Sequence, residues 1–173
     1  MAGETTRQEA RRREQSVTPA GEPIADLIDG VIMRSARTHS DARGSVVEIY
    51  NPAWGFTEEP LVYAYQITIR PGQMKGWVQH RVNEDRLFFS LGTAKVVLFD
   101  DREGSPTRGM VNELFFDEYD RRLLRIPAEV WHAVQNVGGT DVLMVNCPTT
   151  PYDHNNPDKW DLPVDTDLIP YSF

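Results

Sequence analysis

The 173-residue chain has one cysteine, Cys147, so no disulfide can close within it. Its apolar neighbours Leu143, Met144 and Val145 make that thiol a buried packing group rather than a nucleophile. No apolar run reaches the ~18 residues that a membrane-spanning helix needs, and no signal-peptide-like apolar block follows the polar start Met1–Arg13. The expected location is the cytoplasm, with no membrane partner. Positive charge is scarce: 18 Lys and Arg stand against 26 Asp and Glu, a net charge of −8. That balance argues against a nucleic-acid partner, because phosphate binding draws its affinity from clustered cations. An anionic ligand would need a local basic pocket, for which Arg43, Lys75, Arg81 and Arg86 are candidates. Helical periodicity is missing too, since no stretch before residue 150 keeps a 3.6-residue apolar repeat beyond two turns.

What the chain has is alternation. Leu61, Tyr63, Tyr65, Ile67 and Ile69 share one face, with Gln66, Thr68 and Arg70 on the other, which predicts a half-buried strand ended by Pro71-Gly72. Further strands are predicted at 31–34, 45–50, 74–79, 87–91, 94–100, 110–116, 123–126, 132–136 and 141–146. Gly92-Thr93, Asp101 to Pro106 and Val137 to Thr140 read as hairpin turns between them. Many short strands at regular spacing imply an all-β sandwich or barrel closed as a jelly roll, and one domain of this length buries about two-thirds of its unfolded surface. Residues 1–22 hold almost nothing apolar and read as a disordered or loosely ordered arm before a domain at 23–173. The tail from Pro148 to Phe173 carries Trp160, Leu162, Ile169, Tyr171 and Phe173, too much apolar surface to float free. It is expected to wrap the barrel as irregular chain, with one helical turn near 157–160.

The chemistry-bearing residues fall in two segments. Gly72 to Gly92 places His80 among charged residues between two strands, and Pro127 to Asn136 starts another strand with His132. On the strands of a barrel both imidazoles can face one cavity. Each can also be a core histidine bonded to a backbone group. His80, Glu84 and His132 would be the ligands if a metal were held, since three or four donors must converge. Trp77 and Trp131 either line the mouth or fill the core.

These two segments resemble the paired motifs of the cupin superfamily. Within it, residues 25–173 are similar to the dTDP-4-dehydrorhamnose 3,5-epimerase family. Asp41-Ala42-Arg43-Gly44 running to Glu48 resembles that family's nucleotide-holding Asp-x-Arg-Gly segment. Lys75-Gly76-Trp77 with His80 resembles its Arg-Gly-Leu-His, stretched by two residues. Asp100-Asp101-Arg102-Glu103-Gly104-Ser105-Pro106-Thr107 followed by Gly109 resembles its most specific turn. Ile126-Pro127 through His132, and Thr149-Thr150-Pro151-Tyr152, complete five blocks in family order.

The resemblance implies a cupin-type jelly-roll barrel with an irregular C-terminal tail. It also implies an isomerase that epimerises a nucleoside-diphosphate 4-keto-6-deoxyhexose at C3, C5 or both, with no metal and no other cofactor. His80 would be the base and Tyr152 the acid, with Arg86 steadying the enolate oxygen and Asp165 orienting the base. Arg43, Glu48, Lys75, Trp77 and His132 would contact the substrate. A homodimer formed by exchange of N-terminal strands is implied as well. Val46 and Arg86 depart from the family's usual aromatic and lysine and mark a divergent branch. A 3,4-ketoisomerase, a metal-dependent cupin enzyme and a non-catalytic sugar-binding cupin are the alternatives.

Overall fold

The computed structural model describes residues 15–19, 24 and 26–173. Most of the expected N-terminal arm therefore lies outside the described residues. The ordered elements are β1 (Ile32–Ser35), β2 (Thr38–Asp41), β3 (Gly44–Val47), β4 (Tyr65–Ile69), β5 (Met74–Gln79) and β6 (Asp85–Leu91). They continue with β7 (Ala94–Asp100), β8 (Val111–Phe116), β9 (Arg122–Ile126), β10 (Val130–Asn136), β11 (Val142–Asn146) and β12 (Trp160–Asp161). Among the described residues one 3-10 turn occurs, at Pro52–Trp54, with Asn51 accepting from the Ala53 N–H.

Two antiparallel five-stranded sheets, in the orders β1-β9-β6-β11-β4 and β12-β5-β10-β7-β8, make up the jelly roll. Leu87, Phe89, Ile126 and Met144 of the first sheet meet Val96, Leu98 and Val134 of the second in one buried cluster, as period-2 alternation requires. β7 is buried on both faces. Val97 and Phe99, on its outer face, pack with Trp77 and Ala133 under Ile169, Leu162, Tyr171 and Phe173 of the tail. The tail thus covers the second sheet as irregular chain. Around residues 157–160, however, no helical turn forms: Trp160 and Asp161 pair with Gln79 and Val78 and extend that sheet by one short strand.

Two of the three predicted hairpins are instead crossovers. β6 and β7 lie in different sheets, as do β10 and β11, so Gly92-Thr93 and Val137 to Thr140 carry the chain from one layer to the other. Gly92 has φ +79, and a Cβ there would stand 2.5 Å from the Asp141 carbonyl oxygen, so the crossing fits only a bare backbone. The β7–β8 connection is a true hairpin. Its Asp100 carboxylate accepts from Ser105 Oγ and Thr107 Oγ1, each at 2.6 Å, and from Arg102 Nε at 2.8 Å. Arg102 Nη2 and Thr107 Oγ1 in turn bond the backbone of Asp29, so this most specific sequence block builds a turn and anchors the entry to β1.

The strand predicted over 61–70 is ordered only at Tyr65–Ile69. Upstream, the Glu59 and Pro60 carbonyls accept from Arg86 rather than from a neighbouring strand. β3 is likewise shorter than the predicted 45–50, and it pairs with the unpredicted β2 as a hairpin apart from both main sheets.

Candidate active site

β5 and β10 run side by side with a register shift: His132 opposes Val78, but Val134 opposes Lys75. Three residues of β5 therefore face two of β10, which brings Lys75 into phase with Val78 toward the barrel interior. Gly76 sits at the irregularity, where a Cβ would lie 2.6 Å from the Ala133 Cα. The interior opens into a cavity of about 510 Å³, within the ~300–1,000 Å³ range of small-molecule pockets. Tyr63, Tyr65, Lys75, Val78, His80, Asp85, His132, Asn146, Tyr152 and Lys159 all contribute to its wall.

At its polar end, one carboxylate joins two imidazoles. Asp85 Oδ2 lies 3.1 Å from His132 Nε2 and 3.5 Å from His80 Nε2. Asn146 Nδ2 donates to Asp85 Oδ1 at 2.7 Å and also reaches the Tyr65 hydroxyl at 3.0 Å. His132 Nδ1 faces the Val130 carbonyl at 3.1 Å, and His80 Nδ1 is bonded to the Asp158 carbonyl. A carbonyl can only accept, so each Nδ1 carries its proton and each Nε2 is the atom turned to Asp85.

Burial opposes a charged His80, but its hydrogen bond and Coulombic attraction to Asp85, helped by the Asp158 carbonyl, outweigh it and raise the pKa to about 9. Burial also opposes ionisation of Asp85. Hydrogen bonds from His132 and His80 nevertheless hold its carboxyl far below the ordinary carboxylate range. The Tyr65 phenol is pushed up by burial, with the Asp85 charge adding to the effect.

These shifts make stability pH-dependent at both ends. The folded pKa of His80 is raised, so its contribution is complete below about 6.5 and is lost as pH rises through about 9. That of Asp85 is lowered, so its contribution is present above about 3.8 and is lost as pH falls below that value. Urea midpoints across pH should fall on both sides of a plateau. Asp85→Asn should remove the alkaline fall that His80 causes, and an unchanged alkaline limb would refute the pairing.

The expected site residues divide. His80, Tyr152, Lys75 and His132 come together at one cavity, with Tyr152 44 % exposed at its rim. Arg86 does not join them. It is fully buried, its guanidinium bonded to the carbonyls of Cys147, Glu59, Pro60 and Pro148 and to the hydroxyls of Tyr50 and Thr57, so it has no donor left for an enolate oxygen. Asp165 is exposed in the tail, lining a separate hollow formed by residues 164–173. The carboxylate beside His80 is Asp85.

Trp77 is fully buried on the opposite face of β5 from Val78, its ring 5.4 Å from that of Phe173 and 6.3 Å from that of Tyr171, and so it cannot touch a ligand in the cavity. Arg43 projects from the β2–β3 hairpin, paired with Asp41 at 2.6 Å, and Glu48 is an exposed partner of Asn51; neither lines this cavity. Glu84, the expected third metal ligand, is taken by Arg125 at 2.6 Å. Among the described residues, the set with metal-ligand convergence is His80, Asp85 and His132, whose donor atoms lie within 4.8 Å of one another. Cys147 is buried and free, and burial pushes its thiol up, as expected of an unreactive packing group.

Asp85, Asn146, Tyr63, Tyr65, Asp158 and Lys159 were missed. Asp85 had a signal, because it is in phase with the inward Leu87 and Phe89, two and four residues further along β6.

A jelly roll whose interior cavity carries two histidines around a carboxylate, one on β10 and one just past the end of β5, is a cupin-type barrel. No family model matches the chain. It is 33% identical over 140 residues to the probable low-salt glycan biosynthesis epimerase Agl13 of Haloferax volcanii, covering 80% of this chain and 89% of the relative. Identity to the spore coat polysaccharide biosynthesis protein SpsL of Bacillus subtilis is 31% over 147 residues, covering 85% and 97%. The crystal structure of a dTDP sugar isomerase from Desulfovibrio desulfuricans superposes with a TM-score of 0.79 at 27% identity, covering 86% of this chain and 94% of the other. The protein is an isomerase-type enzyme with a sugar-epimerase fold. It belongs to the dTDP-4-dehydrorhamnose 3,5-epimerase family, as a divergent member. Among the described residues no helix is long and apolar enough to cross a membrane.

Proposed function

We propose that the chain epimerises a nucleoside-diphosphate 4-keto-6-deoxyhexose at C3, C5 or both through an enolate. The observation that carries this reading is the placing of His80 and Tyr152 on one cavity, with Asp85 beside the imidazole. The C–H bonds on either side of the C4 carbonyl are acidified because each carbanion delocalises onto oxygen. Neutral His80 takes the proton at Nε2 and becomes an imidazolium held by Asp85, and the Tyr152 phenol returns a proton from the other face. Negative charge on the enolate oxygen and the diphosphate is met by Lys75 and Lys159, the lysines of the cavity wall. Arg43 and Glu48, on a hairpin outside that wall, are assigned to a nucleotide bound by a second copy, in a homodimer.

NMR in heavy water with dTDP-4-keto-6-deoxyglucose tests the scheme. Deuterium should enter at C3 or C5, and the rate should climb up to about tenfold per pH unit toward about 9 as His80 loses its resting proton. Tyr152→Phe should keep exchange on one face while losing inversion. Absence of deuterium at both carbons in the unmodified protein would overturn the proposal.

The convergence of His80, Asp85 and His132 favours one second reading, a metal-dependent enzyme. Chelator treatment separates the two: enolisation by His80 survives it, whereas metal-dependent turnover is lost and returns with the ion.

A further inference from the structure

The loop from Arg81 to Glu84 joins the base to the carboxylate beside it, so its shape fixes their separation. All four of its backbone N–H groups are bonded to side chains of the C-terminal tail. Asp158 Oδ1 accepts from Arg81 N at 2.9 Å, and Asp158 Oδ2 accepts from Val82 N and Asn83 N, each at 2.8 Å. Thr149 Oγ1 accepts from Glu84 N at 3.0 Å, while Thr149 N donates to the Glu84 carbonyl at 3.2 Å. Three successive N–H groups converging on one carboxylate form a compact anion nest. The same aspartate presents its main-chain carbonyl to His80 Nδ1. Next to it, Lys159 reaches the cavity wall, Trp160 and Asp161 pair with β5, and the Arg81 guanidinium stacks 3.5 Å from the Trp160 ring centroid.

We propose that Asp158 is the positioning residue of this site: its carboxylate clamps the 81–84 loop while its carbonyl fixes His80 with the proton on Nδ1 and Nε2 turned to Asp85 and the substrate. The role that a tail carboxylate would play by direct contact with the base is divided here between two groups of one residue. Because Tyr152 and Lys159 leave the same tail, this single clip also sets where they stand relative to His80. The catalytic consequence rests on the epimerase reading above; the geometric one does not.

The test compares Asp158→Ala, Asp158→Asn and Asp158→Glu with the exposed-tail control Asp165→Asn. In 15N NMR, unmodified His80 should show a protonated Nδ1, and Asp158→Ala should give a mixture of tautomers with a lowered titration midpoint. With substrate, Asp158→Ala should lower kcat about 100-fold with KM within about threefold, since a misplacement of about 1 Å at a reacting group costs that much. Asp158→Asn, which keeps an acceptor oxygen but not the charge, should fall between, as should Asp158→Glu, which keeps the charge on a longer arm, and Asp165→Asn should match the unmodified protein. If Asp158→Ala fails to fold, Asp158→Asn carries the same readouts. His80 nitrogen shifts and midpoint unmoved in the folded variants would overturn the positioning role. Shifted tautomers in a protein that exchanges no deuterium at all would uphold it and instead remove the epimerase reading.

Discussion

His80→Asn is expected to abolish solvent exchange at C3 and C5, with a loss of at least about 10³-fold. General-base catalysis is typically worth ~10²–10⁴, and no second imidazole can take the place of this one. Among the described residues the other imidazole beside Asp85 is His132, its centroid 5.7 Å away, but it is 4 % exposed and enclosed between Asp85 and the Val130 carbonyl. The fold should tolerate the change. Asp85 keeps His132 at 3.1 Å and Asn146 at 2.7 Å, and the side-chain amide of the introduced asparagine can still donate toward the Asp158 carbonyl. A folded His80→Asn protein that exchanges at the unmodified rate would remove His80 as base. Exchange that persists in this variant but vanishes in His132→Asn would transfer the role to the inner ring.

The architecture was legible because its signal is local. Alternation places Leu87, Phe89, Val96 and Leu98 inward whatever the sheet order, and β5 and β7 fall within the predicted limits. Sheet membership was not legible. Gly92-Thr93 has hairpin chemistry, yet the strands it joins belong to opposite layers, a choice set by packing across the barrel rather than by the two residues themselves. The site was half legible for a similar reason. His80, Lys75, His132 and Tyr152, named from the family blocks, line one cavity, whereas the tail could not be threaded from sequence. Among its several aspartates, Asp158 alone has its carboxylate on the 81–84 amides, and this depends on β12 joining β5 by just two residues. Trp77 was decidable from alternation, since it lies one residue from Val78 and so on the other face.

Arg86 supplies the second large effect, and it separates a clamp from a catalytic cation. Its guanidinium lies among oxygens that are all uncharged, and among the described residues no carboxylate pairs with it. It ties the chain around residues 50–60 to the end of β11, and so holds the segment that leads into Tyr63 and Tyr65 on the cavity wall. Arg86→Met should leave the buried Cys147 and Pro148 carbonyls without their donor, each costing about 1–3 kcal/mol when unsatisfied, and also frees the Glu59 and Pro60 carbonyls, which belong to exposed residues. Relaxation and water entry recover part of that, leaving a loss of about 4 kcal/mol. For a chain of this size the melting temperature should then fall by roughly 10 °C. Arg86→Lys is the informative partner. It keeps the charge but replaces a planar five-donor fork with three donors at one point, too compact to reach both the Glu59–Pro60 carbonyls and those of Cys147 and Pro148. A clamp therefore predicts that Arg86→Lys melts nearly as early as Arg86→Met, with faster amide exchange around residues 57–65 in both and exchange chemistry retained per folded molecule. A cation serving the enolate predicts the reverse: unmodified stability in both variants, activity kept by lysine and lost with methionine. The second pattern would return Arg86 to the reacting centre and displace Lys75 and Lys159 from the role given to them here.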